Sequence, residues 1–231
     1  MIKNFFKTEW NKLKVMSFRD KRQYIWEYYK LHIIFGGIAI AILGSIINTV
    51  FINPPRREYL YIAWAGSFIL PAHLEALEER LEVIVSDPER YLVRVTSYAP
   101  TENLEMDMAL QQRFFAMISV GAIDLYVISS EEHVHGVAEF GLIRPIYDVV
   151  DAMAALDPVF HAKMLERLVV ITYIDPEGDG EAKITNAMAV SLEGSPLLEA
   201  TGLWSDGLYV GFVSTSTRHY ESAKALREFL R

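Results

Sequence analysis

The run Glu131-Glu132-His133-Val134-His135 packs two carboxylates and two imidazoles into five residues, and these are ligand types that hold zinc. A metal needs such side chains to converge. On a helix, residues two apart point about 200° away from each other, so His133 and His135 face different ways and no metal site is expected there. Asp175, Glu177, Asp179 and Glu181 alternate around Gly178 and Gly180 in the outline of a calcium loop. The twelfth position, where a bidentate Glu should stand, is Asn186, and Pro176 stiffens the start, so an exposed hairpin turn is expected instead. No serine has an evident His–acid relay, and the chain holds no phosphate-binding glycine loop, His-Glu-x-x-His or Gly-x-Ser-x-Gly. The expectation is a protein that is not an enzyme and carries no cofactor.

Binding is what remains. Ser67, Ser129 and Ser130 lie just past the ends of expected strands, where open α/β sheets take ligands, with Phe68 and Tyr98 as neighbours. These five residues are the ligand-binding candidates.

The elements that must position them alternate in type. YLYIAWAG (59–66), RYLVRVTSY (90–98) and IDLYVIS (123–129) have strand character. Between them, PAHLEALEERL (71–81) and NLEMDMALQQRFFAMISVG (103–121) have helical spacing, the second with Leu104, Met108, Phe115 and Ile118 near one face. Consecutive βαβαβ units predict a parallel sheet with right-handed crossovers. After Ser130, two or three short helices are expected before Arg167. LVVITYI (168–174) and ITNAMAVSL (184–192) then form a hairpin, GLYVGFVST (207–215) a further strand, and RHYESAKALREFLR a closing amphipathic helix. The result is a three-layer α/β domain with a mixed sheet.

Charge divides the chain. Of 231 residues, the first 30 hold eight Lys/Arg against three acids, a net +5, so the other 201 carry −13 of the overall −8. A basic head and an acidic body suit different environments. Between them, Leu31 to Ile52 contains no Asp, Glu, Lys or Arg. As a helix these residues would span ~33 Å, the thickness of a bilayer's hydrocarbon core. A transmembrane helix is expected, with the basic N-terminus cytoplasmic and the body from about Asn53 outside. The apolar run is too long for a cleaved signal peptide, and no small-x-small site precedes Asn53-Pro54-Pro55. With no cysteine, neither a disulfide nor a thioether-linked lipid is available. The acidic body argues against nucleic acid as a partner.

The expected organisation has four parts: a cytoplasmic amphipathic helix over 1–16, a juxtamembrane and transmembrane helix over 17–52, a linker over 53–58, and the α/β domain over 59–231. In the first part Ile2, Phe5, Phe6, Trp10 and Leu13 share one face, with lysines largely elsewhere. That face would suit either the lipid headgroup layer or a cytoplasmic protein. Ser17-Phe18-Arg19-Asp20 has capping-box spacing, and Tyr24, Trp26, Tyr28 and Tyr29 follow as interfacial aromatics. Within the span, Gly37, Ala41 and Ser45 recur every four residues, with Gly44 and Asn48 beside them. Small residues let helices approach closely in lipid, so this face is expected to pack on another membrane helix, of a second copy or of another subunit.

The series "ISVGAIDLYVISSEEHVHGVAEFGLIRPIYD" resembles the first lobe of extracellular solute-binding proteins of ABC importers, the maltose-binding-protein-like type. In that family a helix ends in a small-residue turn, a strand opens with Asp, and a short helix leads to a proline-centred segment. "GSPLLEATGLWSDGLYVGFVSTSTRHYESAKALREFL" resembles the stretch where that family returns to the first lobe and closes with a helix. The resemblance covers most of 59–231 and rests on texture rather than on an invariant motif. It implies a single-lobe periplasmic-binding-like fold. The chain departs from the family in leaving too few residues, Glu131 to about Gly207, for a second lobe, and in lacking a lipobox cysteine. The segment YIWEYYK followed by a membrane span is also similar to small anchored proteins of Gram-positive bacteria. Two functions are expected from these features. The first is an accessory or assembly subunit of a membrane complex such as a transporter. The second is a membrane-tethered solute-binding or sensing receptor.

Overall fold

The computed structural model describes residues 16–99, 104–174 and 183–231. The amphipathic segment with Phe5, Phe6 and Trp10 lies outside the described residues, as does the acidic turn with Asp175, Glu177, Asp179 and Glu181. The chain divides into two compact units, Met1–Pro55 and Arg56–Arg231. The division falls inside the expected linker, where two prolines prevent a helix from continuing.

The first unit is dominated by helix α1, Phe18–Ile47, prolonged by a π-helical turn over Asn48–Ile52. Ser17 caps it: its hydroxyl accepts the Asp20 amide at 3.3 Å and donates to the Asp20 carboxylate at 2.7 Å. The π turn closes with the Asn53 amide on the Asn48 carbonyl at 2.7 Å, and Pro54-Pro55 follows. Over Phe18–Ile52 the helix is 35 residues, its most apolar 18-residue stretch has a mean hydropathy of 2.2, and none of its residues is buried. It is long and apolar enough to cross a membrane.

The second unit is built on one mixed sheet of seven strands. β1 (Arg57–Ala65), β2 (Tyr91–Tyr98) and β3 (Leu125–Ile128) are parallel, with β1 in the middle. Helix α2 (Pro71–Leu81) links β1 to β2, and α3 (Leu104–Ser119) precedes β3. Pro71 at the first helical position sets the start of α2, because proline lacks only an N–H that would be unpaired there anyway. Next come α4 (Glu131–Glu139), the two-residue strand β4 (Ile143–Arg144), α5 (Tyr147–Leu156) and α6 (Pro158–Glu166). β5 (Leu168–Ile174) and β6 (Lys183–Ser191) pair antiparallel as the expected hairpin. The short helix α7 (Pro196–Ala200), strand β7 (Tyr209–Val213) and helix α8 (His219–Leu230) complete the chain. The sheet order is β2-β1-β3-β7-β6-β5, with β7 antiparallel to both of its neighbours and β4 paired to its end.

Alternation along the strands makes two cores, one on each sheet face. Leu60, Ile62 and Trp64 of β1 join Leu125 and Val127 of β3, under Leu77, Val149, Leu226 and Phe229 from the helices. Tyr61, Ala63, Tyr126 and Ile128 point to the other face, under Phe114 and Ile118 of α3 and Val134 and Ala138 of α4. Helices thus cover both faces of the sheet, the three-layer arrangement expected.

The structure departs from expectation in three places. The buried stripe of α3 carries Phe114 and Ile118, while Met108 and Phe115 are about half exposed. The expected stripe ran one residue out of phase around Phe115, because two adjacent phenylalanines fit the spacing equally well. β4 and α7 were not anticipated: each is too short for its periodicity to register, although Ser195-Pro196 is a helix-start signal and the Ser195 hydroxyl does accept the Leu198 amide. The π turn ending the apolar helix α1 was not anticipated either.

Candidate functional site

At the C-terminal ends of the three parallel strands, between α3 and α4, lies an open cavity of about 560 Å³. Ala65 and Gly66 close β1, Tyr98 closes β2, and Ile128 and Ser129 close β3. The strands run the same way, so all three deliver their ends to one edge of the sheet. Gly66 has φ +87°, and a Cβ there would sit 3.0 Å from the Ser129 hydroxyl, so this corner needs glycine.

The floor is aromatic. Phe114 of α3 is 4.9 Å from the Tyr98 ring and 5.1 Å from the Tyr126 ring, centroid to centroid. The Tyr98 hydroxyl pairs with that of Tyr61 at 2.9 Å and approaches the Met117 sulfur at 3.5 Å. Burial pushes the Tyr98 phenol well up, with the Tyr61 hydrogen bond adding to the rise. Burial alone pushes Tyr126 up to about 12, so it stays a neutral phenol at physiological pH. Tyr126 is only 8 % exposed, lines the cavity, and has no hydrogen-bond partner for its hydroxyl among the described residues. A hydroxyl that the protein leaves unpaired in a largely buried residue can pair with a ligand atom.

The mouth is polar and acidic. Asp107 and Gln111 stand on one side, and Glu132 and His133 stand in the first turn of α4 on the other. Gly136 of α4 also lines the opening, and a Cβ there would meet nothing within 4 Å.

Of the five residues singled out from sequence, Tyr98 and Ser129 line this cavity. Ser67 does not: its carbonyl receives the Ser97 hydroxyl at 2.7 Å. Phe68 is 74 % exposed and lies outside the lining. Ser130 caps α4, its hydroxyl accepting the His133 amide at 3.2 Å. Sequence reasoning missed Phe114, Tyr126 and Gly136. The strand signal in IDLYVIS could not reveal that an opening lies above the face carrying Tyr126 and Ile128. No group of three or more His, Cys, Asp or Glu with metal-holding geometry occurs among the described residues.

Below the cavity, Asp124 ties three segments together. Its carboxylate accepts the Tyr61 amide at 2.8 Å, the Ser216 hydroxyl at 2.7 Å and the Arg218 guanidinium at 2.9 Å. Burial pushes this carboxyl up against the pull of those three donors. The Asp that opens a strand in the resemblance is thus a structural clamp between β1, β3 and the segment leading into α8.

The residues expected at or within a membrane belong to the other unit. Tyr24, Trp26, Tyr28 and Tyr29 all lie in the early turns of α1, with Trp26 and Tyr28 largely exposed and the Tyr24 and Tyr28 rings 4.7 Å apart. Gly37, Ala41, Gly44, Ser45 and Asn48 are all exposed, and a Cβ on Gly37 or Gly44 would meet nothing within 4 Å.

No family model, no curated protein and no solved structure matches the chain. The fold and site therefore define the class of protein by geometry alone: an α/β domain on a mixed seven-stranded sheet, with one apolar N-terminal helix long enough to span a bilayer.

Proposed function

We propose that the chain is a membrane-tethered ligand-binding lobe, a receptor that senses or presents a small molecule. The observation that carries this reading is the cavity at the C-terminal edge of β1, β2 and β3. Its volume, about 560 Å³, falls within the roughly 300–1,000 Å³ usual for small-molecule sites. A cavity formed within one lobe, between α3 and α4, needs no second lobe, and this favours ligand capture over assembly.

Kinship with one lobe of the maltose-binding-protein-like solute-binding proteins belongs to the same proposal. It is supported by three parallel strands followed in the sheet by an antiparallel strand from late in the chain, and by the closing helix α8. The lobe is placed outside the cell, as in the small anchored proteins of Gram-positive bacteria, because basic residues crowd the N-terminal flank of the span. Protease added to intact cells should then cleave the C-terminal unit, and its full protection would sink the orientation.

The binding reading is tested by a thermal-shift screen of small molecules on Arg56–Arg231, a compact unit with its own two cores. A ligand at 100 times its Kd should stabilise by about 2.7 kcal/mol, a rise of roughly 5–10 °C. A broad library without a stabilising member would count decisively against it.

A second reading, an accessory subunit of a membrane complex such as a transporter, is favoured by the uncovered small-residue face of α1. Replacing Gly37, Ala41 and Ser45 together by Leu should abolish close helix packing. The expected result is a smaller complex on native gels of detergent-solubilised membranes, whether the partner is another subunit or a second copy. Unchanged migration would refute the packing role.

A further inference from the structure

We propose that the ligand of this cavity is an organic cation, an amine or quaternary ammonium on an apolar body. The inference rests on the binding reading above and specifies its chemistry. Four of the lining residues are aromatic: Tyr98, Phe114 and Tyr126 form a contiguous floor, and Phe140 stands at the rim. Ring faces carry negative potential and attract cations, while also accepting apolar groups.

Charge points the same way. Asp107 and Glu132 line the cavity, and no Lys or Arg does. Glu132 has no ion pair or hydrogen bond from its carboxylate to a described residue, so its charge is not committed within the fold. Asp107 makes other interactions as well and adds its negative charge to the same opening. Arg113 acts electrostatically on Tyr98 but is not part of the lining. An anionic ligand would face the uncommitted Glu132 carboxylate with no Lys or Arg in the lining, and a neutral apolar ligand would make no use of that charge.

The third observation is independent of charge. Tyr126 is 92 % buried and lines the cavity, and its hydroxyl lacks a hydrogen-bond partner among the described residues. Phe114 and Tyr126 are buried, whereas Glu132, His133 and Phe140 are exposed, so the site is graded from a phenolic floor to an acidic mouth. A molecule with an apolar middle, a polar group reaching Tyr126 and an ammonium at the mouth would use every part.

The test uses three probes of one skeleton and different charge: 2-phenylethylammonium, 2-phenylethanol and 3-phenylpropionate. Each is titrated calorimetrically into the full chain in neutral maltoside micelles, with empty micelles as the reference. The ammonium should bind about tenfold more tightly than the alcohol and about a hundredfold more tightly than the carboxylate. The pair Asp107→Asn and Glu132→Gln should bring the ammonium down to the alcohol's affinity. Glu132→Gln alone, at an exposed position where folding is not at risk, should weaken it about threefold or more. Equal affinity for ammonium and alcohol, preference for the carboxylate, or an unchanged ammonium affinity in these variants overturns the cation and leaves the receptor reading standing. Failure of all three probes to bind also overturns the cation, and the receptor reading then stands or falls with the thermal-shift screen.

Discussion

Asp124→Ala should cost the α/β unit about 3–5 kcal/mol, the usual penalty for breaking a buried charged network by removing one partner. Domains of this kind are stable by about 5–15 kcal/mol, so the variant would approach unfolding. Its melting temperature should fall by roughly 6–20 °C. The physical reason is that one carboxylate satisfies the Tyr61 amide, the Ser216 hydroxyl and the Arg218 guanidinium together. Alanine strands two of those groups in a fully buried place, while Arg218, partly exposed, can turn to water.

Arg218→Ala separates the clamp from its charge. With the guanidinium gone, the Asp124 carboxyl, already raised by burial, rises further. A folded-state value above the unfolded one means the native protein holds the proton more tightly. Stability contributed by the protonated group is then complete below the unfolded carboxylate range and is lost as pH rises through the folded value. The Arg218→Ala variant should therefore lose more of its melting temperature at pH 8 than at pH 5. A pH-independent deficit would show that Asp124 does not carry the effect.

Gly136→Phe should abolish ligand binding at the cavity, by about a hundredfold or more in Kd, without loss of stability. Gly136 sits within α4, lines the mouth, and has open space beyond its absent Cβ. A side chain there grows into the opening rather than into the core. Replacing a mid-helix glycine also removes a cost of roughly 0.5–1 kcal/mol relative to Ala, part of which Phe retains. The melting temperature without ligand should stay level or rise, while the ligand-induced shift disappears. Retention of that shift would place the ligand elsewhere.

Much of the frame was legible in the residues. Pro71 and the spacing of Leu74, Leu77 and Leu81 set α2 as observed, because both its start signal and its buried stripe are local. Ser17 was readable as a cap and Leu31–Ile52 as part of an apolar helix of bilayer length for the same reason: capping uses residues three apart, and such a helix is recognised by what it lacks. Strand character in 123–129 was legible too, and the structure puts Leu125 and Val127 on one sheet face and Tyr126 and Ile128 on the other.

What escaped depends on contacts between distant residues. The spacing around Phe114-Phe115 allows either ring to face inward, and only the rings of Tyr98 and Tyr126 beside α3 select Phe114. Asp124 meets Ser216 and Arg218 across more than ninety residues, so no local pattern could announce the clamp. Ser67 and Ser130 stood correctly near strand ends, yet a strand-end position does not say which backbone group a hydroxyl will cap.

The sequence by itself therefore determined a bilayer-length apolar helix, an acidic α/β body and most of its element boundaries, since these follow from hydrophobicity and turn chemistry acting over a few residues. Tertiary structure alone decided that α3 and α4 stand apart above the parallel strand ends, leaving an aromatic floor, an acidic mouth and one phenol without a partner. A cavity is a failure of two surfaces to meet, and neither surface encodes that gap within its own stretch of chain.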